Sequence, residues 1–172
     1  MSWSRRNLLA AGASLLLAAP LGACGFEPLY GDHGGTRENT NAALALVRVA
    51  PIANRAGQLL YNKLRDRLNP RGKPIEPAYV LEVKLDEQSQ ELLLEPDQTA
   101  SRTNLTLRAE FQLRQIGSGE TLLKGFSQAT VGYDVVTSQF ATLTSQQDAR
   151  DRATRQLSED ISTRLALYFA KG

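Results

Sequence analysis

The chain of 172 residues has one Cys, one His and one Trp. A single Cys excludes an intramolecular disulfide framework and a multi-cysteine zinc site. The lone His33 lies in a glycine-rich stretch and reads as a solvated loop residue rather than a ligand or base. Charge of one sign is also missing. Twenty Lys+Arg stand against 18 Asp+Glu, a formal +2, which makes no electrostatic case for nucleic-acid binding. Aromatics are 6% and hydrophobic residues 42%, neither a disordered nor a polytopic-membrane composition. No G-x-S-x-G, H-E-x-x-H, Walker loop or dinucleotide fingerprint occurs. Gly117-Ser118-Gly119 is short and suits a hairpin better than a phosphate cradle. Glu82, Asp86, Glu87 and Glu110 could pair for acid–base work, but strand alternation explains Glu82, Asp86 and Glu110, and Glu87 begins a polar stretch. No catalytic residue, metal site or dissociable cofactor is expected, and the length suits one domain with a real core.

What is present begins at the N-terminus. Arg5 and Arg6 precede an uncharged Leu/Ala run, Leu8 to Leu21, shorter than the ~20 residues that span a bilayer. Small residues and Pro20 end it, the layout of a signal peptide. Leu21-Gly22-Ala23-Cys24 resembles the bacterial lipobox. That resemblance implies cleavage before Cys24, diacylglycerol on its thiol and an acyl chain such as palmitate on the new amine. More than one chain anchors far better than one. Ser4 to Leu9 also resembles a twin-arginine export signal, although a plain basic leader is the favoured reading. Removing residues 1–23 leaves 149 residues with 18 basic and 18 acidic side chains. The net charge falls to zero and no thiol remains for redox chemistry.

Residues 24–42 hold Gly25, Pro28, Gly31, Gly34, Gly35, Asn39 and Asn41 and read as a tether. Residues 43–172 read as a single domain. Leu44 to Ile52 suggests a strand stopped at Pro51. Asn54 then caps a helix of about 14 residues with Ala56, Leu60, Leu64 and Leu68 in one stripe, closed by Asn69-Pro70-Arg71-Gly72. Tyr79, Leu81, Val83 and Leu85 alternate with polar partners as a half-buried strand. The pattern weakens at Gln88-Ser89-Gln90, so the strand either continues or breaks there. Residues 95–102 read as a loop.

Leu105, Leu107, Ala109, Phe111 and Leu113 alternate with Thr106, Arg108, Glu110, Gln112 and Arg114, the clearest strand. A two-residue turn at Ser118-Gly119 leads into a strand over 121–133, and its register sets Phe111 opposite Phe126. From Ser145 to Phe169, Ala149, Ala153, Leu157, Ile161 and Leu165 recur every four residues on a helix. The fold class is α+β: a two-layer α/β sandwich of order β-α-β-β-β-α. Its four-stranded antiparallel-rich sheet carries two helices on one face. Arg108 and Arg114 would share the face left uncovered, where exposed Arg suits phosphate recognition. Lys84 and Arg102 lie near them in this reading.

Three features together resemble the LptE family of lipopolysaccharide-assembly lipoproteins in its alphaproteobacterial form: Cys24-Gly25-Phe26-Glu27-Pro28-Leu29-Tyr30-Gly31, the element order, and the terminal helix ending Arg164-Leu165-Ala166-Leu167-Tyr168-Phe169. The resemblance implies a non-enzymatic lipoprotein on the periplasmic side of the outer membrane, anchored through Cys24. It implies a plug that helps assemble an LptD-like β-barrel and assists lipopolysaccharide insertion, with lipopolysaccharide bound through basic residues. Arg108 and Arg114 are the residues suggested for that contact. An auxiliary lipoprotein of a lipid-transport ABC system is the alternative, and a lipoprotein activator of cell-wall synthesis a third. Glu27 stands where many relatives carry a basic residue.

Overall fold

A computed structural model describes residues 36–92 and 100–171. Its elements are α1 (Thr36–Ala45), β1 (Val47–Val49), α2 (Asn54–Leu68), β2 (Tyr79–Leu92), β3 (Ala100–Gln115), β4 (Thr121–Val136) and α3 (Gln139–Lys171). The strands form one sheet in the order β1-β2-β3-β4. β1 runs parallel to β2, and the β2–β3 and β3–β4 pairs are antiparallel. The expected α+β sandwich with an antiparallel-rich sheet is present, with three helices in its second layer. Residues 1–35, including Cys24, His33 and the two leader arginines, lie outside the described residues.

The core follows from two periods. Odd positions of β3 point at the helices, and Leu105, Leu107, Ala109 and Leu113 are fully buried. Facing them on α3, Ala149, Ala153, Leu157, Ile161 and Leu165 are equally inaccessible. Burying each large aliphatic side chain contributes about 1.5–3 kcal/mol. α2 brings Ala56, Leu60, Leu64 and Leu68 to the same core. Its start is held by Asn54, whose φ is 61° and whose side-chain oxygen accepts a hydrogen bond from the Gly57 N–H at 3.3 Å. Asn tolerates this left-handed backbone. The helix ends where Asn69 donates from Nδ2 to the Ala45 carbonyl at 3.0 Å.

Four local features depart from the sequence reading. Residues 36–42 are helical rather than a tether, and the first strand shrinks to Val47–Val49. Ala42, Ala43, Leu44 and Ala45 are strong helix formers, and Thr40 and Leu44, one turn apart, are both buried. β2, by contrast, takes one of the two courses the sequence left open and runs unbroken through Gln88–Gln90, because β3 pairs with it along its whole length. α3 begins at Gln139, not Ser145. Ser138 Oγ accepts the Ala141 N–H at 3.4 Å, and Thr142 Oγ1 bonds both backbone groups of Val136 at 3.1 Å. Its first ten residues bury nothing, so no periodicity announces them. β3 begins at Ala100, which shortens the expected 95–102 loop.

The fourth departure is the hairpin. Phe111 faces Gly125, and Phe126 faces Glu110. The turn holds four residues, Ile116 to Gly119, closed by Gln115 N–H to the Glu120 carbonyl (2.9 Å) and Gly119 N–H to the Gln115 carbonyl (3.1 Å). Gly117 and Gly119 take φ of 107° and 71°, which favours glycine. The register then shifts between Leu113 and Arg114, where Leu113 pairs with Leu123 and Arg114 with Thr121. The result is one residue away from the expected pairing, and one residue exchanges the faces of a strand. Phe126 therefore points away from the helices and is 69% exposed. The Phe111 ring lies over Gly125 so closely that a Cβ there would sit 2.6 Å from Cζ.

Candidate functional site

The even positions of β2, β3 and β4 form the sheet face that no helix among the described residues covers. The register sets three cross-strand rows side by side: Glu82–Gln112–Lys124, Lys84–Glu110–Phe126 and Asp86–Arg108–Gln128. Each row holds one cation and one carboxylate. Gln112 donates to Glu82 at 2.6 Å and Arg108 Nε to Gln128 at 2.9 Å. The first two rows line a concavity of about 540 Å³ that also reaches Val83, Phe111 and Gly125, within the size range of ligand sites. Formal charge cancels across the patch, so an anion would be read by individual donors rather than drawn by a net positive field.

Arg108 and Arg114 both lie on this face, as expected from β3 alternation. They are not one cluster: six residues along a strand separate them by roughly 20 Å. Arg114 is tied to Glu82 (3.3 Å) and to the Gly119 carbonyl (3.4 and 3.3 Å), so it braces the hairpin turn. Among the described residues, Arg108 is bound through Nε alone, and its terminal nitrogens stay open. Arg102 also lies on this face, with its guanidinium over Gly132. Lys84 belongs to the concavity. The reading of the sequence missed Lys124 and Phe126, which reach this face beside Lys84 through the one-residue register shift between Leu113 and Arg114. Val131 faces the helices and is buried.

On the other face, ion pairs bind the layers. Arg150 grips Glu87 with two nitrogens at 2.7–3.1 Å, which accounts for Glu87 without catalysis. The same carboxylate raises the Arg150 pKa further. Asp151 accepts Lys63 and Arg155, each at 2.7 Å, and these cations lower its pKa. Among the described residues, no group of His, Cys, Asp or Glu could hold a metal ion, and no helix is long and apolar enough to cross a membrane.

A family model for LptE, lipopolysaccharide-assembly, matches residues 44–165. The chain belongs to the LptE family. That match runs from the end of α1 through most of α3 and includes all three rows of the open face. An uncharacterised Rickettsia prowazekii protein is 22% identical over 91% of this chain and 96% of its own. Among solved structures, a Caulobacter crescentus protein described as a lipoprotein is 25% identical, with a TM-score of 0.67 over 77% of this chain and 96% of its own. The minor lipoprotein of Acinetobacter baumannii shares the fold at 17% identity and a TM-score of 0.52, over 72% of this chain and 92% of its own. LptE membership places the chain in lipopolysaccharide assembly.

Proposed function

We propose that this LptE-family chain is an outer-membrane lipoprotein, held on the periplasmic side by lipid on Cys24. It plugs and helps assemble an LptD-like β-barrel and assists lipopolysaccharide insertion, with no enzymatic step of its own. The observation that carries the reading is the uncovered sheet face, with its paired rows of charge and amide and its open cations. A barrel lumen is itself polar, and a surface of this kind can seat there without burying unpaired charge. Lipopolysaccharide presents phosphates beside acyl chains. Arg108, Lys84 and Lys124 can donate to the phosphates, Phe126 can lie against apolar chain, and Arg114 positions the turn while keeping exposed N–H groups.

The decisive experiment is purification of the acylated chain from membranes. Recovery with an outer-membrane β-barrel is expected; recovery with an ABC or lipid-shuttle complex and no barrel would overturn the reading in favour of the auxiliary-lipoprotein alternative. Lipopolysaccharide binding should fall in Arg108→Ala/Arg114→Ala and in Lys84→Ala/Lys124→Ala chains of unchanged circular dichroism. Unchanged binding in either pair removes that pair from the site. Cys24→Ala should leave an uncleaved, unacylated precursor.

A further inference from the structure

β4 is an edge strand, and its outer edge is barely protected. Ile116 N–H bonds the Ala78 carbonyl in line with the β2–β3 register. Even residues of β3 therefore turn their backbone groups toward β2, and odd ones toward β4. Odd pairs with odd across β3–β4. That leaves the N–H and C=O of Lys124, Phe126, Gln128, Thr130, Gly132 and Asp134 pointing outward. Among the described residues, only one of these groups is taken: the Gly132 carbonyl accepts from Arg152 at 3.3 Å. The next even residue, Val136, is closed by Thr142, and the register shift at the other end closes the window near Leu122.

Folded proteins blunt such edges with charge, proline, bulges or brevity, because a long bare edge recruits another strand. β2 beyond its short partner β1 does this, with Lys84, Asp86, Glu87 and Glu91 in its free stretch. β4 has no proline and only two charges, Lys124 and Asp134, in 16 residues. We infer that the β4 edge is a self-pairing surface whose occupant is the β4 edge of a second copy, antiparallel about a two-fold axis at Ala129.

Two independent features select that register. The open window from Lys124 to Asp134 has its midpoint at Ala129, so only this axis pairs the whole window with itself. The same register sets Lys124 opposite Asp134 of the second copy, twice over. A slide by two residues in either direction loses both pairings. The register centred on Ala129 also brings the exposed Phe126 against Gly132 of the second copy, where the Arg102 guanidinium lies and can stack on the ring. Arg152 must release the Gly132 carbonyl, and it retains Asp148 at 2.8 Å when it does. The pairing shares Lys124 and Phe126 with the proposed lipopolysaccharide contact, but it does not rest on the barrel reading and survives its failure.

The test uses the full acylated chain in detergent, followed by sedimentation equilibrium. A reversible, concentration-dependent dimer is expected. Lys124→Glu or Asp134→Lys alone should weaken it by about tenfold or more, since two opposite-charge pairs become like-charge pairs. The combined Lys124→Glu/Asp134→Lys chain should restore it. Both positions are exposed, so unchanged circular dichroism separates dissociation from misfolding. As a second measurement, a Lys124→Cys chain mixed with an Asp134→Cys chain should crosslink on mild oxidation, and neither should do so alone, because hydrogen-bonded cross-strand pairs bring Cα atoms to about 5.5 Å. A monomer at every concentration, a dimer indifferent to the charge swaps, crosslinking of either chain alone, or crosslinking of β4 only to a different protein would each overturn the inference.

Discussion

The close approach of Phe111 to Gly125 makes the β3–β4 register measurable by one methyl group. A Cβ on residue 125 would lie 2.6, 3.0 and 3.2 Å from Cζ, Cε1 and Cε2 of Phe111. Ordinary carbon contacts are about 3.5–4.0 Å, so the ring tip must retreat by roughly 1 Å. Phe111 is 4% exposed and packed, and overpacking of this kind costs about 1–3 kcal/mol. Replacing a strand glycine by Ala would otherwise gain about 0.5–1 kcal/mol. Gly125→Ala should therefore destabilise the domain by about 1–2 kcal/mol. With a urea m-value of about 2 kcal/mol/M, the midpoint falls by about 0.5–1 M in unfolding followed by circular dichroism.

The alternative pairing of Phe111 with Phe126 makes the opposite prediction. There Gly125→Ala would be neutral or stabilising, and Phe126→Ala would empty an aromatic core position at about 3–5 kcal/mol. With Phe126 at 69% exposure, Phe126→Ala should stay within about 0.5 kcal/mol of the parent. A double-mutant cycle isolates the contact. In a Phe111→Ala background the obstruction is gone and Gly125→Ala should turn stabilising, a coupling of about 2 kcal/mol. Additive effects in that cycle, or a large loss from Phe126→Ala, would refute the register.

Three further outcomes follow from the helix layer. Glu87→Gln leaves the half-buried Arg150 with a neutral partner in place of a two-point ion pair and should cost about 1–3 kcal/mol in the same urea assay. Asp151 has its pKa held down in the folded state by Lys63 and then Arg155; its contribution is present above the unfolded value near 3.9 and is lost as pH falls through the lower folded value. The stability gap between the parent and Asp151→Asn should accordingly be open at neutral pH and close in acid, below about pH 4. Ser162 Oγ is buried without a hydrogen-bond partner among the described residues, so Ser162→Ala should raise stability by up to about 1 kcal/mol, read as a higher urea midpoint.

These predictions divide along the line that separates what could be read in advance from what could not. Leu105 to Leu113 and Ala149 to Leu165 announced themselves because each row is wholly buried, and burial is what writes a period into sequence. Among the side chains described, α1 offers only Thr40 and Leu44 as buried positions, and β1 has only three residues, too few for any period. The start of α3 carries no buried side chain at all. The open face shows the same division within a single site. Arg108 and Arg114 sit on β3, whose facing follows from its own alternation, and their placement was legible. Lys124 and Phe126 sit on β4, whose facing depends on how many residues the turn holds and on the register shift after it. Those are decided by the left-handed backbone of Gly117 and Gly119 and by a pairing change at Arg114, which hydrophobic patterning does not encode. The one residue inserted at that register shift leaves the layers of the fold unchanged. It moves Lys124 and Phe126 from the helix side to the open face, and so decides whether the face holds a concavity beside Lys84 or only separated arginines.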